Sequence, residues 1–291
     1  MSLEHAAPYL ASEGICPNPV FVIGSPRSGT TAMAQSLNRH PDLWVGKESY
    51  ILSDLFQGER AERVWENQQD RQTPCWLDHE QVEKDEWLAF IGLGFNALFS
   101  SRAEGKRWID QTPLYTPMAP TLAKMFPGAK FIHIVRDGRN VVRSMSNFER
   151  KFDDELLANA KSNEIPKWSK DLEKACETWS TWVNAGLDFA EANPDRCMTV
   201  WNEKLAAGGP EAFDPVLEFL DLRHHPGPGN FFSKKRIGSS FKLDPTRPED
   251  DDWSDWDKKR RKQFASVAAG TWARAGYGAI ADLQAWASDG S

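Results

Sequence analysis

Two short stretches of this sequence gather residues that bind anions. The first is Gly24-Ser25-Pro26-Arg27-Ser28-Gly29-Thr30-Thr31. Its glycines let backbone N–H groups converge at a helix start, and hydroxyls and a guanidinium stand beside them. The glycines have the GxxxxG spacing of a phosphate-cradling loop, but Thr30 and Thr31 stand where such loops carry Lys. A nucleoside triphosphatase needs that Lys for the β/γ-phosphates, and an acid after a later strand for Mg²⁺. Here the run KFIHIV is followed first by Arg136. The loop therefore reads as the seat of a phosphate-bearing ligand whose chemistry does without Mg²⁺. A glycine turn with no ligand is the plainer alternative.

The second stretch, RDGRNVVRS, runs from Arg136 to Ser144. Arg136 closes an apolar strand, and open α/β sheets bind ligands beyond such carboxyl ends. A guanidinium and, eight residues on, a hydroxyl can converge there on a second phosphate. The alternative is a solvated charged turn. Two anion sites on neighbouring strands argue for one nucleotide phosphorylated at two positions.

The elements that must position these residues follow from apolar patterning. VFVI (20–23) and KFIHIV (130–135) read as buried parallel strands, each followed by a loop and a helix. KRWID (106–110) reads as a strand edge, PMAPTLAKMF as a helix, and 171–193 as a long amphipathic helix. RCMTVW follows as a third buried strand, then EAFDPVLEFLDL as a helix, and a final helix spans about 256–275 and stops at GYG. This βαβα alternation predicts a parallel sheet covered by helices. We expect a single domain over 1–291 with an inserted helical region and an N-terminal extension over 1–18. Residues 224–256, rich in Gly, Pro and charge, read as a flexible or lid-like loop.

Composition narrows the class of function. The 42 acidic residues outnumber the 35 basic ones, for a net charge of -7, which argues against a polynucleotide partner. No run approaches the roughly 18 apolar residues of a membrane span, and no signal-peptide pattern opens the chain. The four cysteines form no CxxC pair and the histidines no metal-ligand spacing, so neither a disulfide scaffold nor a metal site is expected. A cytoplasmic location follows as the expectation. The 13 tryptophans stand out; Trp65, Trp76, Trp87, Trp168, Trp179, Trp253 and Trp256 lie in segments without motifs, where aromatic walls or helix packing would use them.

At this point GSPRSGTT resembles the 5′-phosphosulfate loop of sulfotransferases that use 3′-phosphoadenosine 5′-phosphosulfate (PAPS), and VRDGRNVVRS resembles their 3′-phosphate motif. HPDLWVGKES, WIDQTP, MFPGAKFIHIVRDGR, VWNEKLAAGGPEAFDPVLEFLDL and the helix ending in GYG fall in family order, over about residues 19–278. The pattern is closer to the broad bacterial branch and the tyrosylprotein sulfotransferases than to the cytosolic branch. The resemblance implies a P-loop-type three-layer fold with a central, mainly parallel sheet. It also implies transfer of a sulfuryl group to an acceptor hydroxyl or amine, releasing 3′-phosphoadenosine 5′-phosphate (PAP), with no metal required.

Residue by residue, the resemblance assigns Ser25, Pro26, Arg27, Ser28, Gly29, Thr30 and Thr31 to the phosphosulfate, with Arg27 facing the leaving phosphate. Arg136 and Ser144 would hold the 3′-phosphate. Glu48 falls at the position of a catalytic carboxylate, a residue type suited to taking the acceptor's proton. A surface acid paired with Lys47 is the alternative for Glu48, and His133, mid-strand, ranks below it as a base. Gln111 replaces a common Lys. Asn202 replaces a common Tyr and could meet the adenine edge. The late stretch KKRIGSSF matches the family's basic loop loosely: Lys235 and Arg236 as 3′-phosphate clamps, Ser239 or Ser240 near the sulfate, or else a flexible surface loop. The acceptor, a small molecule or a peptide or glycan, is not legible, nor is the oligomeric state. A P-loop small-molecule kinase and a non-catalytic nucleotide-binding protein are the alternatives.

Overall fold

Among the described residues, five short strands, none longer than six residues, form one sheet at the centre. The computed structural model describes residues 14–71, 73, 75–146, 167–234 and 256–289. Strands β1 (Val20–Ile23), β2 (Leu43–Val45), β3 (Arg107–Asp110), β4 (Lys130–Val135) and β5 (Cys197–Trp201) pair in the order β2-β3-β1-β4-β5. Every pairing is parallel, with Phe21 beside both Asp110 and Phe131, and Val135 beside Trp201. All five carboxyl ends therefore open on the same edge of the sheet. Both faces are covered, which is why β1 reads as an unbroken apolar run.

Alternation along the strands divides the core. Phe21, Ile23 and Phe131 pack with Trp108, Tyr115, Leu122 and Phe189 on one face. Val20, Val22, Ile132 and Ile134 pack with Met33, Leu37, Phe213 and Leu217 on the other. Helix α1 (Thr30–Leu37) follows β1. Helices α2 (Ile51–Phe56), α3 (Arg60–Gln69), α4 (Trp76–His79) and α5 (Lys84–Ser100) lie between β2 and β3. Then come α6 (Ala119–Met125), α7 (Gly138–Ser146), α8 (Leu172–Ala192), α9 (Asn202–Ala207), α10 (Asp214–Phe219), α11 (Gly227–Lys234), α12 (Lys258–Arg274) and α13 (Ile280–Ser288). A further apolar cluster joins α7, α8, α12 and α13 through Val141, Trp179, Phe264, Trp272 and Leu283.

Several expectations change. KRWID is not at an edge: β3 lies between β2 and β1, and the edge strand on that side is β2, too short a run to stand out in the sequence. Residues 227–234, read as the start of a flexible loop, are helix α11. Its Pro228 sits in the first turn, where no backbone donor is needed. Phe232 is buried near Phe213 at 5.5 Å, and Gly229 lets the helix approach the Pro210 carbonyl. GYG does close α12, but α13 follows it. Part of the stretch assigned to an extension is docked, since Cys16 N–H donates to Ser100 Oγ at 2.9 Å and its carbonyl accepts from Asn96.

The tryptophans mostly pack. Trp179 is fully buried and Trp256 nearly so, while Trp65 and Trp87 donate their indole N–H groups to the Val82 and Ala61 carbonyls. Only Trp76, 69% exposed, keeps the profile of a wall residue among those of the named seven that are described; Trp253 lies outside the described residues.

Candidate active site

The anion loop leaves β1 at the centre of the sheet, where the chain switches from one side of that strand to the other. Close packing demands both of its glycines. A Cβ on Gly24 would lie 2.5 Å from the Ile134 carbonyl oxygen, and one on Gly29 would lie 2.3 Å from Asn202 Nδ2. Gly29 also has φ 100°, and Arg27, without glycine's freedom, is held left-handed at φ 71°. Thr116 Oγ1 ties the loop's entry, accepting from the Gly24 N–H at 2.8 Å and donating to its carbonyl at 2.9 Å. Met33 N–H donates to the Gly29 carbonyl as α1 begins. The N–H groups of Thr30, Thr31 and Ala32 precede that bond and lie at the positive end of the helix dipole. Ser25 and Ser28 are fully buried, and Ser28 Oγ has no hydrogen-bond partner among the described residues.

The second motif lies against the first. Arg27 Nε donates to Ser144 Oγ at 3.1 Å, a contact across 117 residues of sequence. Burial lowers the Arg27 pKa; the like charge of Arg136 lowers it further and the carboxylate of Glu48 opposes both. Arg27 thus feels two of the other ionisable residues that the sequence picked out, Arg136 and Glu48. Like charges acting on one another favour an anionic ligand beside them.

The turn that carries Arg136 is braced from three directions, none of them evident in the sequence. Trp179 Nε1 donates to the Arg136 carbonyl at 3.2 Å. Glu203 Oε1 accepts from the Asp137 N–H at 2.9 Å, while its Oε2 accepts from the Tyr277 hydroxyl at 3.0 Å. Arg139 forks onto Asp137, with its guanidinium 5.4 Å from the rings of both Trp272 and Trp286. The Tyr of GYG therefore reaches the second motif through one carboxylate.

Glu48 follows β2. Its Oε2 accepts the hydroxyl of Tyr50, and no ion pair joins it to Lys47 among the described residues. The next residue is clamped to the end of β3. Ser49 N–H donates to Thr112 Oγ1 at 3.0 Å, and Ser49 Oγ donates to Asp110 Oδ2 at 2.7 Å and meets the Tyr115 hydroxyl at 2.6 Å. Asp110 also accepts from the N–H and hydroxyl of Thr112, and burial raises its pKa despite these bonds. Gln111, 3% exposed, carries an amide oxygen with no partner among the described residues.

His133 is fully buried, its ring against Gly186 of α8 and its Nδ1 3.3 Å from Thr199 Oγ1; burial pushes its pKa down to about 3. That is a neutral core histidine. Asn202, placed by the sequence near adenine, donates from Nδ2 to the Ser28 carbonyl at 3.0 Å, so its amide braces the anion loop. Lys235, Arg236, Ser239 and Ser240 lie outside the described residues.

The profile of the Sulfotransferase family matches residues 19–226, which hold the loop, Glu48, Arg136, Ser144 and Asn202. The chain belongs to the sulfotransferase family. Among curated relatives it is similar to a protein-tyrosine sulfotransferase of Drosophila melanogaster, 27% identical over 204 residues, covering 70% of this chain and 38% of that one. It is also similar to protein-tyrosine sulfotransferase 2 of Gallus gallus, 26% identical over 209 residues, covering 70% of this chain and 51% of that one. The chain thus spans about half the length of these relatives or less. A solved sulfotransferase from Alicyclobacillus acidocaldarius shares the fold at a TM-score of 0.50 and 15% identity, covering 94% of this chain and 97% of that one. The two motifs and Glu48 all lie within the matched residues and follow the carboxyl ends of β1, β4 and β2.

Proposed function

We propose that this chain moves the sulfuryl group of PAPS to a hydroxyl of an acceptor, releasing PAP, with Glu48 as the proton acceptor. The observation that carries this reading is the position of Arg27, bonded to Ser144 and sharing its electrostatic surroundings with Arg136 and Glu48. One bisphosphorylated nucleotide laid across the two motifs would bring its 5′ end to the loop and its 3′-phosphate to Arg136. The unpartnered Ser28 hydroxyl and the N–H groups opening α1 suit phosphate oxygens.

In the transfer, the acceptor oxygen attacks sulfur from the side opposite the bridging oxygen. The acceptor's proton passes to the Glu48 carboxylate, the new O–S bond forms and the S–O bond to the 5′-phosphate breaks. The electron pair leaves with PAP. Negative charge grows on the bridging oxygen, where Arg27 and the helix N-terminus stabilise it in a preorganised site. The curated relatives are named for protein-tyrosine sulfation, which supports a phenolic hydroxyl on a peptide as the first acceptor to try. An acid for Mg²⁺ is lacking directly after β4, where Arg136 stands, and this weighs against the kinase alternative.

Calorimetry with PAP, followed by turnover of PAPS with phenols, tyrosine peptides, alcohols and sugars, tests the proposal. Failure of PAP to bind would sink it, and binding without transfer to any acceptor would make the chain a nucleotide-binding protein. Replacing the base, Glu48→Ala, should lower kcat by about 10²–10⁴-fold with little change in PAP affinity. An equal loss of both would make Glu48 structural.

A further inference from the structure

Tyr50 stands on Glu48, two residues before it in the sequence. Its phenolic hydroxyl donates to Glu48 Oε2, the carboxylate assigned above as the base. The residue is 43% exposed and stands in a left-handed conformation at φ 54°, at the start of α2. This placement is built in, because Ser49, between Glu48 and Tyr50, is fastened to Asp110, Thr112 and Tyr115. Burial, the Glu48 hydrogen bond and the nearby carboxylates raise the phenol's pKa. The hydroxyl thus keeps its proton and needs a base in contact, as any acceptor alcohol does.

Resting on the assignment of Glu48, we propose that Tyr50 is a sulfation site on the enzyme itself, modified from bound PAPS when no external acceptor fills the site. Tyr50 Oη attacks the sulfur, its proton passes to Glu48, the Oη–S bond forms, and the S–O bond to the 5′-phosphate breaks as PAP leaves. The product is an aryl sulfate beside Glu48. It can no longer donate to that carboxylate and it stands in the acceptor's way, so the event occurs once per chain. The other tyrosines are placed differently. Tyr115 is fully buried with its hydroxyl on Ser49, and Tyr277 spends its hydroxyl on Glu203; Tyr9 lies outside the described residues.

The experiment incubates the full chain with PAPS carrying radioactive sulfur, without acceptor, and maps the label by peptide. The expected result is label on the Tyr50 peptide, rising to no more than one sulfate per chain. It should be lost in Tyr50→Phe and in Glu48→Gln, with both variants still binding PAP by calorimetry, and be suppressed by a turned-over acceptor. Three outcomes overturn the proposal while leaving the enzyme reading intact: turnover of an external acceptor with no label on the protein, label on another residue, or label that persists in Tyr50→Phe. A protein that fails to bind PAP, or binds it and transfers sulfate to nothing, overturns both.

Discussion

At the scale of single residues, what could be read in advance was chemical type, and what could not was engagement. Arg27, Arg136, Ser144 and Glu48 stood out as a cation pair, a hydroxyl and a carboxylate that an anionic co-substrate would need. The bond from Arg27 to Ser144 spans 117 residues, and no local pattern signals it. Asn202 shows the same limit: its position after β5 was legible, but its bond to the Ser28 carbonyl depends on how closely two loops approach. That approach yields a prediction. In Gly29→Ala the new methyl meets Asn202 Nδ2 and the backbone must hold φ 100°, a conformation costly for any residue with a Cβ. The expected loss is about 1–3 kcal/mol of stability with weaker PAP binding. Adding Asn202→Ala should restore only part of both, because it removes the clash and leaves the backbone strain. Thermal melts and calorimetry on the single and double variants check this.

At the scale of elements, strands β1, β4 and β5 and helix α8 were legible because each is an apolar run or a long amphipathic helix with clear stops. Strand β2 was not, since three residues carry no period and its register comes only from pairing with β3. Yet β2 leads into Glu48, the base proposed above. Its following residue, Ser49, is tied to Asp110 and Thr112 at the end of the neighbouring strand, so the β2–β3 pairing aims Glu48. Replacing Asp110 with Asn keeps the volume but replaces one of the acceptor oxygens with an NH₂ donor. We expect Asp110→Asn to lower kcat by about 10–100-fold through misplacement of Glu48, while PAP affinity changes little. Steady-state kinetics beside PAP calorimetry measure it. A parallel loss of nucleotide binding would show that Asp110 supports the whole sheet edge instead.

At the scale of the whole molecule, His133 supplies a stability test that is independent of catalysis. Its folded pKa, pushed down to about 3 by burial between β4 and α8, lies below the ordinary value of 6.5. Above pH 6.5 both folded and unfolded chains hold it neutral, so it costs nothing. As pH falls below that value the unfolded chain gains a proton that the folded chain refuses. Stability is then lost by about 1.4 kcal/mol per pH unit until roughly pH 3. Urea denaturation between about pH 4 and 7 should show a shallower dependence in His133→Phe than in the parent protein. Equal slopes would mean that the ring is not held neutral in the fold.

By itself, the sequence determined the class of sheet, the two anion motifs and the carboxylate between them. Apolar runs, glycine spacing and residue chemistry are local properties that survive without neighbours. It did not determine that β3 is interior, that 227–234 is a helix, or that most of the tryptophans it flagged as wall candidates would pack. Each of those depends on which surface another segment covers. Nor could it show Trp179, Glu203 and Tyr277 bracing the Arg136 turn, or Tyr50 lying on Glu48. Hydrogen bonds between distant segments exist only once parallel strands deliver their carboxyl ends to one edge, and that delivery is a property of the assembled sheet.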